Sequence, residues 1–298
     1  MNAPATPEPG TEGGTSLGQD AWRRLRRNRL AYICLWALGG MVILCAGGVC
    51  LSLAGLLPNP NANHLDRTLA PPGDGYLLGS DALGRDVFTR ILFGGLVSIA
   101  VGVVATLVST VIGVTYGAIA GYLGGRVDAM MMRFVDILYA MPFVILVIVL
   151  MSLFGKNLIL LFVAIGAVEW LTMARIVRGQ VMSLKKQEFI EAARSLGLSH
   201  AQILFRHLVP NCIGPVIVYT TLTVPSVMRL EAVLSFLGMG VQPPNSSWGT
   251  LIKEGADRMT TNEWLLIYPA SAFAITLFCL NFLGDGLRDA LDPKGAKD

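Results

Sequence analysis

Long apolar runs separated by short polar segments set the pattern of this chain. Six runs qualify for a bilayer crossing, which needs ~20 apolar residues. They cover about 31–57, 96–122, 129–154, 158–173, 211–237 and 264–287, with ends defined to within several residues. In lipid a backbone has no water to bond, so each run is predicted to be helical. The expected fold class is all-α: a polytopic membrane protein with six transmembrane helices.

One segment breaks the pattern. Residues 188–210 read EFIEAARSLGLSHAQILFRHLVP, polar and amphipathic between two apolar runs. Phe189, Ala193 and Leu196 fall on one face of a first short helix. Gly197 can take the left-handed conformation that closes it. Ser199 is then the N-cap of a second helix, Gln202 completes a capping box, and Leu198 with Ile203 forms a hydrophobic staple. Ala201, Leu204, Phe205 and Leu208 give the second apolar stripe, and Pro210 is expected to stop the unit. Such a helix-turn-helix wedge suits docking into a groove of a soluble partner. The plainer alternative is a loop with two helical turns.

The segment 58–95 separates the first run from the rest. Its first part, to Asp74, is rich in Pro and Asn and has no periodicity. From Asp81 the pattern turns helical. Asp81 with Arg85, and Asp86 with Arg90, are i, i+4 pairs with the acid first, so an interfacial helix is expected to lead into the second span. In the fifth run, Pro215 and Pro225 stand among Thr220, Thr221, Thr223 and Ser226. Proline breaks backbone pairing and nearby hydroxyls can re-satisfy it. This run is a candidate to line a pathway, or else a kinked packing helix.

Composition agrees with the pattern: 53% of the 298 residues are apolar and 14% charged, which exceeds the needs of a soluble domain. The basic residues give orientation. With the N-terminus inside, 16 of the 23 Lys and Arg lie on the inner side, among them Arg23–Arg29, Arg175, Arg178, Lys185 and Lys186; 7 lie outside. The positive-inside rule therefore puts both termini and the wedge in the cytoplasm. The net charge of +3 reflects this bias. No basic stripe with interleaved aromatics points to nucleic acid. The first apolar run is longer than a signal peptide's ~7–15 residues, so it is read as an uncleaved span. Residues 1–20 look like a disordered tail. The five cysteines, in or beside apolar runs, are expected to be small buried hydrophobes.

Motifs of chemistry are missing. GxxxxGK[ST] and HExxH do not occur, so this chain is expected to bind no ATP and to be no enzyme. His64 lies outside, and His200 and His207 inside, which excludes a shared membrane metal site. A secondary transporter is the rival mechanism, with Asp136, Glu169, Arg229 and Glu231 as its ionisable residues. Their positions near span ends favour structural or gating ion pairs over a proton relay.

Residues 188–210 resemble the EAA loop of ATP-binding-cassette (ABC) importer permeases. Glu191, Ala192, Ala193, Gly197 and Pro210 match its pattern in type and spacing, while His207 and Val209 stand where that pattern has Ile and Leu. Gly79, Ser80, Asp81, Gly84, Arg85 and Asp86 resemble a segment of the C-type subunits of peptide importers. The stretches 121–125, 235–240, 248–249 and 284–293 are similar as well, and 174–180 with 188–193 look closest to the oligopeptide branch. The resemblance, over about 22–293, implies a permease forming half of a pore for short peptides; import of dipeptides or a nickel chelate is the alternative. It implies a 21–57 basic segment and first span, a periplasmic segment 58–95, and a five-helix core 96–287. Within that core lie a cytoplasmic coupling loop 174–210 and a periplasmic loop 238–263; a cytoplasmic tail 288–298 follows. The coupling residues would be Glu191, Ala192, Ala193, Gly197, Ser199 and Pro210. The pathway or gate residues would be Thr220, Thr221, Thr223, Pro225, Ser226 and Glu231. Implied partners are a second homologous permease, two cytoplasmic ATPase subunits that bring ATP and Mg, and an extracytoplasmic peptide-binding protein. No cofactor or metal would sit in this chain, and the bacterial inner membrane would hold it.

Overall fold

The computed structural model describes residues 17–155 and 157–291. Residues 1–16 and 292–298, where most of the expected N-terminal tail and the end of the C-terminal tail fall, lie outside the described residues, as does Lys156. Among the described residues the structure is helical, apart from one antiparallel bridge between Ser80 and Asp86. Its first helix, α1 (Leu17–Arg27), corrects the expectation for 17–20: the tail there is already helical, and Leu25 packs with Ala31 and Ala290. Asn28 then caps α2 (Arg29–Leu53) by accepting the Ala31 N–H at 3.2 Å.

The interfacial helix expected from Asp81 is absent. Asp81 instead accepts the N–H groups of Leu83 and Arg85 at 2.8 and 3.0 Å, closing a turn. Gly84 in that turn has φ +72°, and a Cβ there would meet the His64 carbonyl oxygen at 1.8 Å. Asp86 does not pair with Arg90. It caps α3 (Val87–Leu123) through the Thr89 N–H at 2.9 Å. The 37 residues of α3 make a rod of about 55 Å, longer than the ~30 Å hydrocarbon layer.

The run 129–154 is not one straight span. It forms α4 (Gly125–Ala140) and α5 (Phe143–Phe154), bent by 87°. Pro142 has no N–H to continue α4 and holds Met141 extended at φ −76°, ψ 137°. Next, α6 (Leu158–Leu184) runs well past the expected end at 173, so the inner loop starts only after Leu184. Five helices are each long and apolar enough to cross a membrane, six if the bent pair is one span. Packing decides the count. A Cβ on Gly113, Gly117 or Gly121 of α3 would meet Trp170 and Met173, Ala174 and Arg178 of α6 in that order. The two helices are therefore parallel, and the chain between them must cross back. The bent pair is one broken span.

The remaining directions follow in the same way. Gly48 of α2 faces Leu92, and Cys45 faces Gly95, so α2 is antiparallel to α3. After the wedge, α10 (Ile213–Phe236) is also antiparallel to α3, with Thr220 beside Thr110 and Glu231 beside Ser98. The loop after α10 contains a short helix, α11 (Trp248–Ala256), whose indole N–H donates to the Ile91 carbonyl at 3.0 Å. Finally α12 (Trp264–Leu291) starts beside α11, at Leu265 against Gly255. It ends with Gly286 against Ala31. Thus α1, the end of α12 and the wedge share one end of the bundle; segment 58–86 and α11 share the other. Cys34, Cys45, Cys212 and Cys279 are buried as expected, whereas Cys50 is exposed.

Candidate functional site

The wedge is built on the C-terminal ends of α3 and α6. Its first helix, α7 (Glu188–Ser195), closes with Gly197 N–H donating to Arg194 O at 2.9 Å and Leu198 N–H to Ala193 O at 3.2 Å. Gly197 has φ +77°, the left-handed turn expected of it. Ser199 caps α8 (His200–Gln202): its hydroxyl accepts the Gln202 N–H at 3.3 Å, and Gln202 Oε1 accepts the Ser199 N–H at 2.9 Å. The capping box is present as the spacing predicts.

The faces differ from the predicted ones. Buried are Ile190 and Ala193 of α7, then Ile203, Leu204 and Leu208, packed on Tyr122, Val177 and Val181. Phe189, Leu196 and Phe205 are 41%, 80% and 53% exposed, and Ala201 is exposed too. A two-turn helix offers Ile190–Ala193 as readily as Phe189–Ala193–Leu196, so periodicity alone could not choose. In the second half, Ile203–Leu208 is a π-helical turn. Its wider winding puts residues five apart on one face and turns Phe205 outward.

Pro210 does not end the unit either. Helix continues through α9 (Val209–Asn211), with a single turn at Cys212 before α10. Proline sits there in a first turn, where its N–H is not needed. The π register supplies a Val209 N–H to Leu204 O, and the Asn211 side-chain amide donates to His207 O at 2.6 Å. The wedge and α10 are therefore nearly one rod.

Polar contacts brace this end. Lys185 Nζ donates to the Tyr122 carbonyl, and the Tyr122 hydroxyl lies 2.6 Å from His200 Nδ1. Arg178 forks onto Asp128 of α4 at 2.5 and 2.6 Å. Asp136 pairs with Arg175 at 2.8 Å rather than with the Arg133 next to it on the helix. Glu191, Ala192, Ser199 and Pro210 remain on the outside of the wedge, and Ala193 is part of its buried base.

On α10 the six expected pathway residues are divided. Thr220 bonds Thr110 at 3.0 Å. The Thr221 and Thr223 hydroxyls donate to the carbonyls of Ile217 and Tyr219, both at 2.8 Å. Those hydroxyls reach back one turn, as helical threonines do, so they do not serve the Thr221 carbonyl that Pro225 frees. Pro225 itself is buried. Ser226 receives Arg229 at 2.9 Å. Glu231 is 0% exposed and pairs with no cation among the described residues: Ser235 and Ser247 donate to it at 2.6 and 2.7 Å, with Ser98 at 3.4 Å. This knot ties α10 to α3 and to the start of α11.

The end opposite the wedge carries a network that the i, i+4 reading found only in part. Asp81 does accept from Arg85 at 2.7 Å, but in a turn, and it also accepts from Arg90 at 2.6 Å. Arg90 forks onto Glu254 of α11 at 2.6 and 3.1 Å. Only a fold could bring residue 254 beside residue 90. Arg90→Ala would leave buried Asp81 with Arg85 as its one remaining cation, a loss of about 2–3 kcal/mol. Arg175→Ala breaks a half-exposed pair and should cost ~1 kcal/mol or less. Thermal unfolding of the detergent-solubilised chain should rank the two in that order; equal shifts would deny Arg90 its structural role.

The comparisons with known proteins agree with this arrangement. The family described as "Binding-protein-dependent transport system inner membrane component" matches residues 113–297. The "N-terminal TM domain of oligopeptide transport permease C" matches residues 16–72. The chain is 49% identical over 285 residues to the oligopeptide transport system permease protein OppC of Escherichia coli (strain K12), covering 94% of this chain and 92% of that protein. It is 47% identical to OppC of Haemophilus influenzae over 94% and 90% of the two chains. It is 42% identical to the dipeptide transport system permease protein DppC of Bacillus subtilis, over 94% and 86%. Among solved structures, a chain of the inward-facing MetNI methionine ABC transporter superposes with a TM-score of 0.56 at 18% identity, covering 68% of this chain and 96% of that one. That likeness concerns the fold.

Proposed function

The chain belongs to the family of inner membrane components of binding-protein-dependent transport systems, and on that premise we propose that it forms half of the pore of an ATP-driven importer of short peptides. It is a multi-pass membrane permease rather than a catalytic enzyme. The observation that carries the coupling part is the wedge. Its buried base is fixed to α3 and α6, while Phe189, Leu196 and Phe205 are presented outward among Glu191, Arg194 and Arg206. A rigid unit with exposed apolar anchors is what docking to another protein requires.

The partners in this reading are two cytoplasmic ATP-binding subunits, a second homologous permease and an extracytoplasmic peptide-binding protein. ATP and Mg reside on the ATPase subunits. Closure of the ATPases would move the wedge as a body. The near-continuous helix through Pro210 would pass that motion to α10, carrying Thr220, Thr221, Thr223, Pro225 and Ser226. Glu231 would keep α11 and α3 in step with α10. The names of the relatives support peptides as the cargo. The excess of Lys and Arg at the wedge end supports a cytoplasmic wedge and cytoplasmic termini in the bacterial inner membrane.

Cysteine labelling tests the orientation on which the partners depend. In sealed cells an impermeant reagent should reach a cysteine placed at Asn61 or Asn245, both exposed at the far end, but not one at Ser199. Labelling at 199 from outside would remove the ATPase partners from the account.

A further inference from the structure

The end opposite the wedge holds a cavity of about 250 Å³ that the transport reading does not use. It lies between the turn 81–85, the first turn of α3, α11 and the first two turns of α12. Its charges come from Asp81, Arg85, Arg90, Glu254 and Arg258, three guanidinium groups against two carboxylates. The carboxylates are engaged. Asp81 accepts from Arg85, Arg90 and two backbone N–H groups, and both oxygens of Glu254 accept from Arg90. Arg258 is left over. Its guanidinium makes one long contact, 3.5 Å to the Glu254 carbonyl, and no ion pair among the described residues. The cavity therefore carries one positive charge in excess.

The rest of the wall is apolar: Leu83, Val87, Leu251, Leu265 and Pro269. A ligand that fits must present an anion next to an apolar body. The depth of the site says which one is at hand. α3 and α12 are longer than the hydrocarbon layer, and the charged Asp81, Arg85, Arg90, Glu254 and Arg258 beside their first turns put that end in the headgroup region. We infer that this cavity binds the phosphate of a phospholipid at the outer membrane surface, with Arg258 and Arg85 on the phosphate and the glycerol and upper acyl chains against Leu83 and Leu265. Lipid is already concentrated at that depth, so a shallow cavity can stay occupied. The occupant would cover the lipid-facing side of the Asp81–Arg90–Glu254 network and keep water from it. Only the choice of leaflet rests on the proposed orientation; the site itself does not rest on transport.

Native mass spectrometry of the full chain, released from detergent with dioleoyl phosphatidylglycerol, tests this. The lipid should stay bound, while dioleoylglycerol and free glycerol phosphate should not. Arg258→Gln removes the charged contact without touching the ion-pair network, and should weaken retention about tenfold. Leu83→Trp fills the cavity without changing its charge and should have a similar effect. Lys253→Gln, on the same short helix but outside the cavity, should have none. Equal retention by the wild type and both cavity variants would overturn the site. So would equal loss in the Lys253 variant, since the lipid would then answer to surface charge alone. Dioleoylglycerol held as firmly as the phospholipid would remove the phosphate from the proposal. Glycerol phosphate held as firmly would remove the lipid.

Discussion

Aspartate at Leu196 or Phe205 is expected to abolish ATP-dependent peptide uptake while leaving the chain folded in the membrane. Both side chains are exposed, 80% and 53%, so a charge there burdens no internal contact. In a docked complex each would be an apolar anchor facing a groove. Truncating such an anchor costs ~2 kcal/mol or more, and a buried unpaired carboxylate adds to that. The ATPase should therefore bind on the order of a hundredfold more weakly. Gly197→Asp tests the same joint differently. The space around its Cβ is open, so the cost is the strained backbone, ~1 kcal/mol or more, and the effect should be smaller. Co-purification of the ATPase subunits and peptide uptake are the two readouts. Normal values of both in the Leu196 and Phe205 variants would sink the assignment of the wedge.

Gly117→Leu is expected to remove the protein from the membrane altogether. Gly113, Gly117 and Gly121 are spaced by four, so they form one stripe along α3. That stripe lets α6 approach until a Cβ on Gly117 would lie 2.2 Å from the Ala174 carbonyl oxygen. The obstacle is backbone, which cannot swing aside. α3 and α6 make the most extensive helix pair in the molecule, so separating them loosens the whole core. Overpacking of this kind costs about 3 kcal/mol or more. Gly39→Leu on α2, where nothing lies within 4 Å of the added atom, is the matched control. Immunoblots of membrane fractions should show little of the first variant and normal amounts of the second. Equal amounts would mean that the close approach is dispensable.

Much of this was legible in the sequence because lipid removes choices. An apolar run of about twenty residues must be helical. Local chemistry was equally readable at Gly197, Ser199 and Gln202, whose turn and cap involve neighbours only. Three kinds of feature were not. Proline was read as a stop at Pro210, where the helix continues, and was passed over at Pro142, where the span breaks. At Pro210 the π-helical turn before it has already shifted the register and the helix runs on, whereas at Pro142 the extended Met141 ends α4 and Pro142 opens α5. Periodicity in the eight residues of α7 fitted two faces, and the packing of Tyr122, Val177 and Val181 chose between them. Arg90 and Glu231 each have one partner more than a hundred residues away, Glu254 and Ser98. Nothing near them in the chain announces Glu254 or Ser98. The glycines at 113, 117 and 121, spaced by four, are the sequence feature that marks the close approach of α3 and α6.

The central claim is that this permease draws its energy through the wedge from a separate ATPase. The most direct test is peptide uptake into proteoliposomes. With the second permease, the ATPase subunits and a binding protein, uptake should require ATP and should be lost in the Leu196→Asp variant. The chain alone should neither hydrolyse ATP nor accumulate peptide under a proton gradient, and changing Asp136 or Glu169 to its amide should confer no proton dependence. Accumulation by the chain alone under such a gradient, abolished by either amide, would contradict the account and make it an ion-coupled transporter.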